Sequence, residues 1–96
     1  MTTDRSCSYD QATLGQLIRA VRLRRGMSQY ELAHKLVELS HNDAVNRHQV
    51  ARWERGRRIP GPYWRRWLAV ALGIPAAMMH RALGRSRRQR LREALV

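Results

Sequence analysis

Apolar residues in this chain recur three and four positions apart, in short blocks bounded by capping residues, glycines and prolines. No segment alternates with period two. That pattern confines the chain to helices. Thr13 is an N-cap for a first helix whose Leu14, Leu17, Ile18 and Val21 share one face, and Gly26 ends it. Ser28 opens a second helix with Glu31 three residues on, a capping box, and Leu32, Ala33, Leu36 and Leu39 line its inner face. Ser40, His41, Asn42 and Asp43 form a turn cluster. A third helix is expected over 46–55, capped by Asn46 and anchored by Val50 and Trp53. Gly56 lies just beyond it. Pro62 suits the first turn of a fourth helix with Trp64, Trp67, Leu68, Ala71 and Leu72 inward, stopped at Gly73. Pro75 opens a fifth helix expected to run to Leu83 and stop at Gly84. Ser86 then caps a separate basic helix bearing Leu91, Ala94 and Leu95.

The expected organisation is one all-α domain over 12–84, a flexible N-terminal arm over 1–11 and a basic, helical C-terminal extension over 85–96. Ninety-six residues suffice for one small core without staples. The single cysteine, Cys7, excludes an internal disulfide and fits a reducing compartment. No apolar run approaches the ~20 residues of a membrane span, and the polar N-terminus lacks a signal-peptide core. The expectation is a cytoplasmic protein associated with the nucleoid.

Charge supplies the partner class. Lysine and arginine number 19 against 7 acidic residues, a formal net charge of +12. Only Lys35 among the 19 is lysine. Arginine bias alone can follow from GC-rich coding, but the net charge points to a polyanion. Residues 45–58 concentrate that chemistry. Their helix has Val50 and Trp53 on its back, Arg47, His48, Gln49 and Arg52 on the other faces, and Arg55, Arg57 and Arg58 at its exit. Planar, multi-donor side chains on a helix are what reading base edges in a major groove requires.

The run Arg22-Leu23-Arg24-Arg25-Gly26-Met27-Ser28-Gln29-Tyr30-Glu31-Leu32-Ala33 resembles the start of the Cro/phage-repressor (XRE) helix-turn-helix. Val50-Ala51-Arg52-Trp53-Glu54-Arg55-Gly56-Arg57-Arg58-Ile59-Pro60 resembles the end of that family's recognition helix and the following loop. Leu68-Ala69-Val70-Ala71-Leu72-Gly73-Ile74 resembles its fourth helix and the step into the fifth. The likeness spans roughly 14–79. It implies a compact five-helix, repressor-type domain that acts as a sequence-specific double-stranded DNA-binding transcriptional regulator. The chain departs from the family between Leu36 and Val45, where a tight turn is usual and eight residues stand instead. The second helix is therefore expected to run about a turn longer, to Leu39, before an enlarged connector.

Carried over by position, the resemblance gives Arg47, His48 and Arg52 as base readers, and the amide chemistry of Gln49, which can read adenine, adds it behind them. Gln49 can equally face phosphate or the neighbouring helix. Ser28, Gln29, Asn46, Arg55, Arg57 and Arg58 are backbone contacts, which position a protein without specifying sequence. Gln29 also braces the recognition helix, and Arg22 and Glu54 form a structural ion pair. Arg65 and Arg66 either extend the phosphate grip or form a solvent face.

The aromatic spacing of Trp53, Trp64 and Trp67 assigns them to a core rather than to stacking on unpaired bases, which disfavours single-stranded RNA. The four histidines have no Cys or carboxylate at ligand spacing, so no metal and no cofactor is expected. No nucleophile motif or phosphate loop is present, so an enzyme is not expected. The expected partner is a pseudo-palindromic operator, bound by a candidate homodimer. The alternative is an antitoxin-type or other interaction protein that binds DNA and also a protein through its C-terminal region. There Met78, Met79, Leu83, Leu91 and Leu95 either supply apolar surface, or Met78 and Met79 complete the core while the tail is a mobile basic arm that adds phosphate contacts.

Overall fold

The computed structural model describes residues 9–95 as an all-helical domain; Cys7 and most of the segment read as an arm lie outside the described residues. From Leu14 onward, five helices follow one another among the described residues: α1 (Leu14–Arg24), α2 (Gln29–Ser40), α3 (Arg47–Glu54), α4 (Pro62–Leu72) and α5 (Ala76–Ala94). Each start has a local cause. The Thr13 side chain accepts from the Gln16 N–H, and the Gln16 side chain accepts from the Thr13 N–H, a complete capping box. Ser28 and Glu31 make the same reciprocal pair at α2. Asn46 Oδ1 accepts from the N–H groups of His48 at 2.9 Å and Gln49 at 3.2 Å. Pro62 occupies the first turn of α4, where its missing N–H leaves no bond unmade.

The helical stripes meet in a single core. Leu14, Leu17 and Ile18 of α1, Leu32 and Leu36 of α2, Val50 of α3, and Leu68 and Leu72 of α4 are all fully buried. Each such aliphatic side chain contributes about 1.5–3 kcal/mol relative to exposure. Met79, Ala82 and Leu83 close the core from α5, with Met78 partly buried against it. Trp53 is buried, while Trp64 and Trp67 are half-buried against the cluster. Tyr9, within the segment read as an arm, also packs against the core.

The connector between α2 and α3 is as enlarged as the spacing of Leu36 and Val45 requires. Helix α2 ends at Ser40, and His41 turns the chain out with φ 57°, the one positive φ outside glycine among the described residues. The Ser40 hydroxyl donates to the Leu36 carbonyl, and Asn42 Oδ1 accepts from the Ala44 N–H. Val45 then plugs into the core, at 4% exposure, immediately before the α3 cap. The longer connection therefore still delivers α3 to a fixed place.

One expectation fails at the C-terminus. Neither Gly84 nor Ser86 interrupts a helix; α5 runs unbroken from Ala76 to Ala94. A glycine inside a helix costs only about 1 kcal/mol against alanine, and long-range bonds hold this one in register. Ser86 Oγ accepts from the Leu14 N–H at 2.8 Å, so its hydroxyl serves the start of α1 rather than a new helix. Arg85 Nε donates to the Ala12 carbonyl at 2.6 Å. The basic extension is thus the second half of α5.

Candidate nucleic-acid interface

Helix α3 has eight residues, fewer than the ~12–15 that an isolated helix needs in water. Its conformation depends on what it rests on. Val50 and Trp53 enter the core, and Trp53 meets Trp64 with ring centroids 6.4 Å apart. Against α1 the approach is closer still. A Cβ added at Gly15 would overlap the Trp53 carbonyl oxygen and come within 2.9 Å of that of Glu54. Only a glycine lets the two backbones meet there.

Glu54 is buried at 9% exposure, and its carboxylate is fully engaged. Arg22 Nε donates to Oε2 at 2.6 Å and Arg22 Nη2 to Oε1 at 2.9 Å, a bidentate pair. Gln29 Nε2 adds a third donor to Oε1 at 3.0 Å. The remaining Arg22 nitrogen, Nη1, donates to the Met27 carbonyl at 2.8 Å. One carboxylate thereby joins α1, the α1–α2 turn, the first residue of α2 and the last of α3. The acidic group of α3 is withdrawn from the surface and neutralised.

The opposite face of α3 is exposed and cationic. Arg47, His48, Arg52 and Arg55 point to solvent around the small, half-buried Ala51, while Gln49 sits half-buried on the flank. Gly56, at φ 75°, turns the chain out of α3 in the left-handed region that glycine tolerates. Arg57 and Arg58 follow, both exposed. Among the described residues the ion pairs are Arg22–Glu54 and the exposed His34–Glu38 at 3.8 Å, so none of these arginines has a carboxylate partner.

The residues at the mouth of α2 are partly committed elsewhere. The Ser28 oxygen already accepts from Glu31, which leaves its hydroxyl hydrogen to donate outward. Gln29 is half-buried with its amide N–H on Glu54, so its brace on α3 runs through that carboxylate. The Asn46 oxygen is spent on the α3 cap, leaving its amide N–H groups for an outside acceptor. Arg65 Nη1 donates to the Pro60 carbonyl at 2.8 Å, whereas Arg66 is exposed.

Three residues were missed by reading the sequence for this surface. Gly15 carries no signal apart from its lack of a side chain. Ala51 is half-buried on α3, four residues from both Arg47 and Arg55 and therefore on their side of the helix. Tyr30 is 64% exposed next to Gln29 and stacks on His34 at a centroid distance of 6.3 Å. With Ala33, Val37 and Val45 it borders a shallow hollow that reaches Arg47 and His48 at the start of α3. Its position immediately after Gln29 was the available clue.

Among the described residues no group of His, Cys, Asp or Glu is assembled to hold a metal, and no helix is long and apolar enough to cross a membrane. Residues 18–63, from within α1 to the first turn of α4, match the helix-turn-helix family model. Comparison with curated proteins and with solved structures gave no match. That segment is a helix-turn-helix of the Cro/phage-repressor (XRE) type, the DNA-binding module of transcription regulators in general.

Proposed function

We propose that the chain recognises a specific double-stranded DNA sequence, with α3 in the major groove, and regulates transcription from it. One observation carries this reading. The outward face of α3 displays Arg47, His48 and Arg52 without ion-pair partners among the described residues, while Glu54 is removed to the interior by Arg22. Arginine bidentate to guanine is the commonest base-specific contact in the major groove. Arg47, His48 and Arg52 read bases, with Gln49 at the edge of the reading surface. Arg55, Arg57 and Arg58 hold phosphates, assisted by the Ser28 hydroxyl, Gln29 and the Asn46 amide.

Leu91 and Leu95 favour a second feature. They lie four residues apart on α5 and are 62% and 79% exposed. This stripe is the surface on which a second copy of the chain assembles over a pseudo-palindromic operator, with half-sites about one helical turn apart. A protein of another kind docked on the same stripe is the competing, antitoxin-type reading.

Selection of duplexes from a random pool, followed by footprinting of the winner, tests the proposal. The expected result is one enriched motif protected in the major groove, with inverted half-sites. Failure to enrich any motif contradicts sequence-specific recognition. A single half-site bound by one copy contradicts the dimer.

A further inference from the structure

The C-terminal half of α5 lies across the start of α1 and the loop that leaves the recognition helix. Arg85 and Ser86 fix it to Ala12 and Leu14, and Arg90 Nη2 donates to the Gly56 carbonyl at 3.2 Å. Gly56 stands between Arg55 and Arg57, so α5 reaches the surface just behind α3. Arg55, Arg58 and Arg90 line one groove of about 110 Å³ there. Two acidic residues also line that groove: Glu54, already neutralised by Arg22, and Glu93, which accepts from Gln89 at 3.1 Å and pairs with no arginine among the described residues.

A second pair of like charges adjoins them. Arg65, at the start of α4, has its pKa lowered by partial burial and then by the positive charge of Arg87 on α5. Arg90 shares its groove with Arg55 and Arg58, and Arg87 stands three residues before Arg90, on the same side of α5; among the described residues none of these arginines pairs with a carboxylate. Such a surface is complementary to a polyanion.

Resting on the DNA-binding reading above, we propose that Arg65, Arg87 and Arg90 continue the grip of the α3–α4 loop onto the phosphates that flank the recognised site. The occupant is the backbone of the same duplex, because Arg90 is bonded to the loop directly behind the recognition helix. Helix α5 then lengthens the footprint without adding base readout, since phosphate contacts carry no sequence information.

The test compares R87Q/R90Q with the unaltered chain on two duplexes that share the selected site. One ends at the site, and the other extends about half a helical turn beyond each end. R87Q alone serves as a second variant, because the Arg87 side chain makes no hydrogen bond within the fold among the described residues, and thermal melting establishes that each variant is folded. The unaltered chain is expected to bind the longer duplex more tightly and with a steeper salt dependence. R87Q/R90Q should lose most of that difference, flattening the slope of log K against log salt by about 2 per bound chain on the long duplex, at ~0.9 per phosphate, and by nothing on the short one. An unchanged slope on the long duplex overturns the proposal. Equal losses on both lengths overturn it too, placing the contacts inside the site. A changed molecular mass in solution with an unchanged slope assigns the ridge to a second copy and also overturns it. If the unaltered chain binds neither duplex, the DNA reading itself fails, and this proposal with it.

Discussion

Gly15 of α1 rests directly against the carbonyl of Trp53, one residue before the end of the recognition helix, with no room for a side chain between them. The contact is backbone on backbone, so neither partner can rotate away. Gly15→Ala is expected to lower stability by about 2–3 kcal/mol, at the upper end of the usual cost of overpacking, despite the better helix propensity of alanine. Urea denaturation checks this. A variant as stable as the unaltered chain would mean that α3 can shift without loss.

Arg22 and Glu54 are buried together at 6% and 9% exposure, so removing one strands the other. Glu54→Ala should cost about 3–5 kcal/mol, the usual price of an uncompensated buried charge. Arg22→Met combined with Glu54→Leu should recover much of that loss, because an apolar pair of similar volume needs no neutralisation. Equilibrium unfolding of Arg22→Met, of Glu54→Leu and of the double variant gives the coupling. Strict additivity would show that the pair does not act as a unit.

Asn46 separates folding from binding. Asn46→Ala removes the acceptor for two N–H groups of α3 and should cost about 1 kcal/mol. Asn46→Asp keeps the cap and the stability, yet places a carboxylate at the phosphate-facing edge. Its DNA affinity should fall while its melting temperature stays close to that of the unaltered chain. Binding that survives the aspartate would move Asn46 away from the backbone of the duplex.

Between Arg22 and Arg66 there are eleven basic and four acidic residues. If the module neutralises about six phosphates, log K should fall against log salt with a slope near −5. A titration from low to moderate salt measures it. A slope near zero would remove the electrostatic basis of the interface.

Features set by neighbours in sequence were legible from it. Ser28 with Glu31, Asn46 before α3 and Pro62 at the start of α4 act through bonds or sterics that span three or four residues. The stripes of Leu14, Leu17 and Ile18, and of Leu68, Ala71 and Leu72, follow from helical period alone. Features set by distant partners were not. Ser86 looks like a cap in the sequence because nothing local shows that its oxygen accepts from Leu14, 72 residues away. Gly84 looks like a stop because glycine closes helices more often than it sits inside them. Gly15 gives no warning that the carbonyls of α3 press against it. Within the candidate site, Arg47 and Arg52 are proposed because the family pattern names their positions, and Arg57 and Arg58 because arginines cluster where the chain leaves α3. Tyr30 and Arg90 join the surface only through the packing of α2 and α5.

On the proposed DNA-binding reading, the basic residues of α3 and its loop divide into readers and holders. The direct measurement is the affinity of Arg47→Ala, Arg52→Ala and Arg57→Ala for the selected duplex and for a random duplex of equal length. Arg57→Ala should weaken both alike. Arg47→Ala and Arg52→Ala should lose a further ~1–3 kcal/mol on the selected duplex alone, each relaxing preference at one base pair. Equal losses on both duplexes for all three variants would contradict the account.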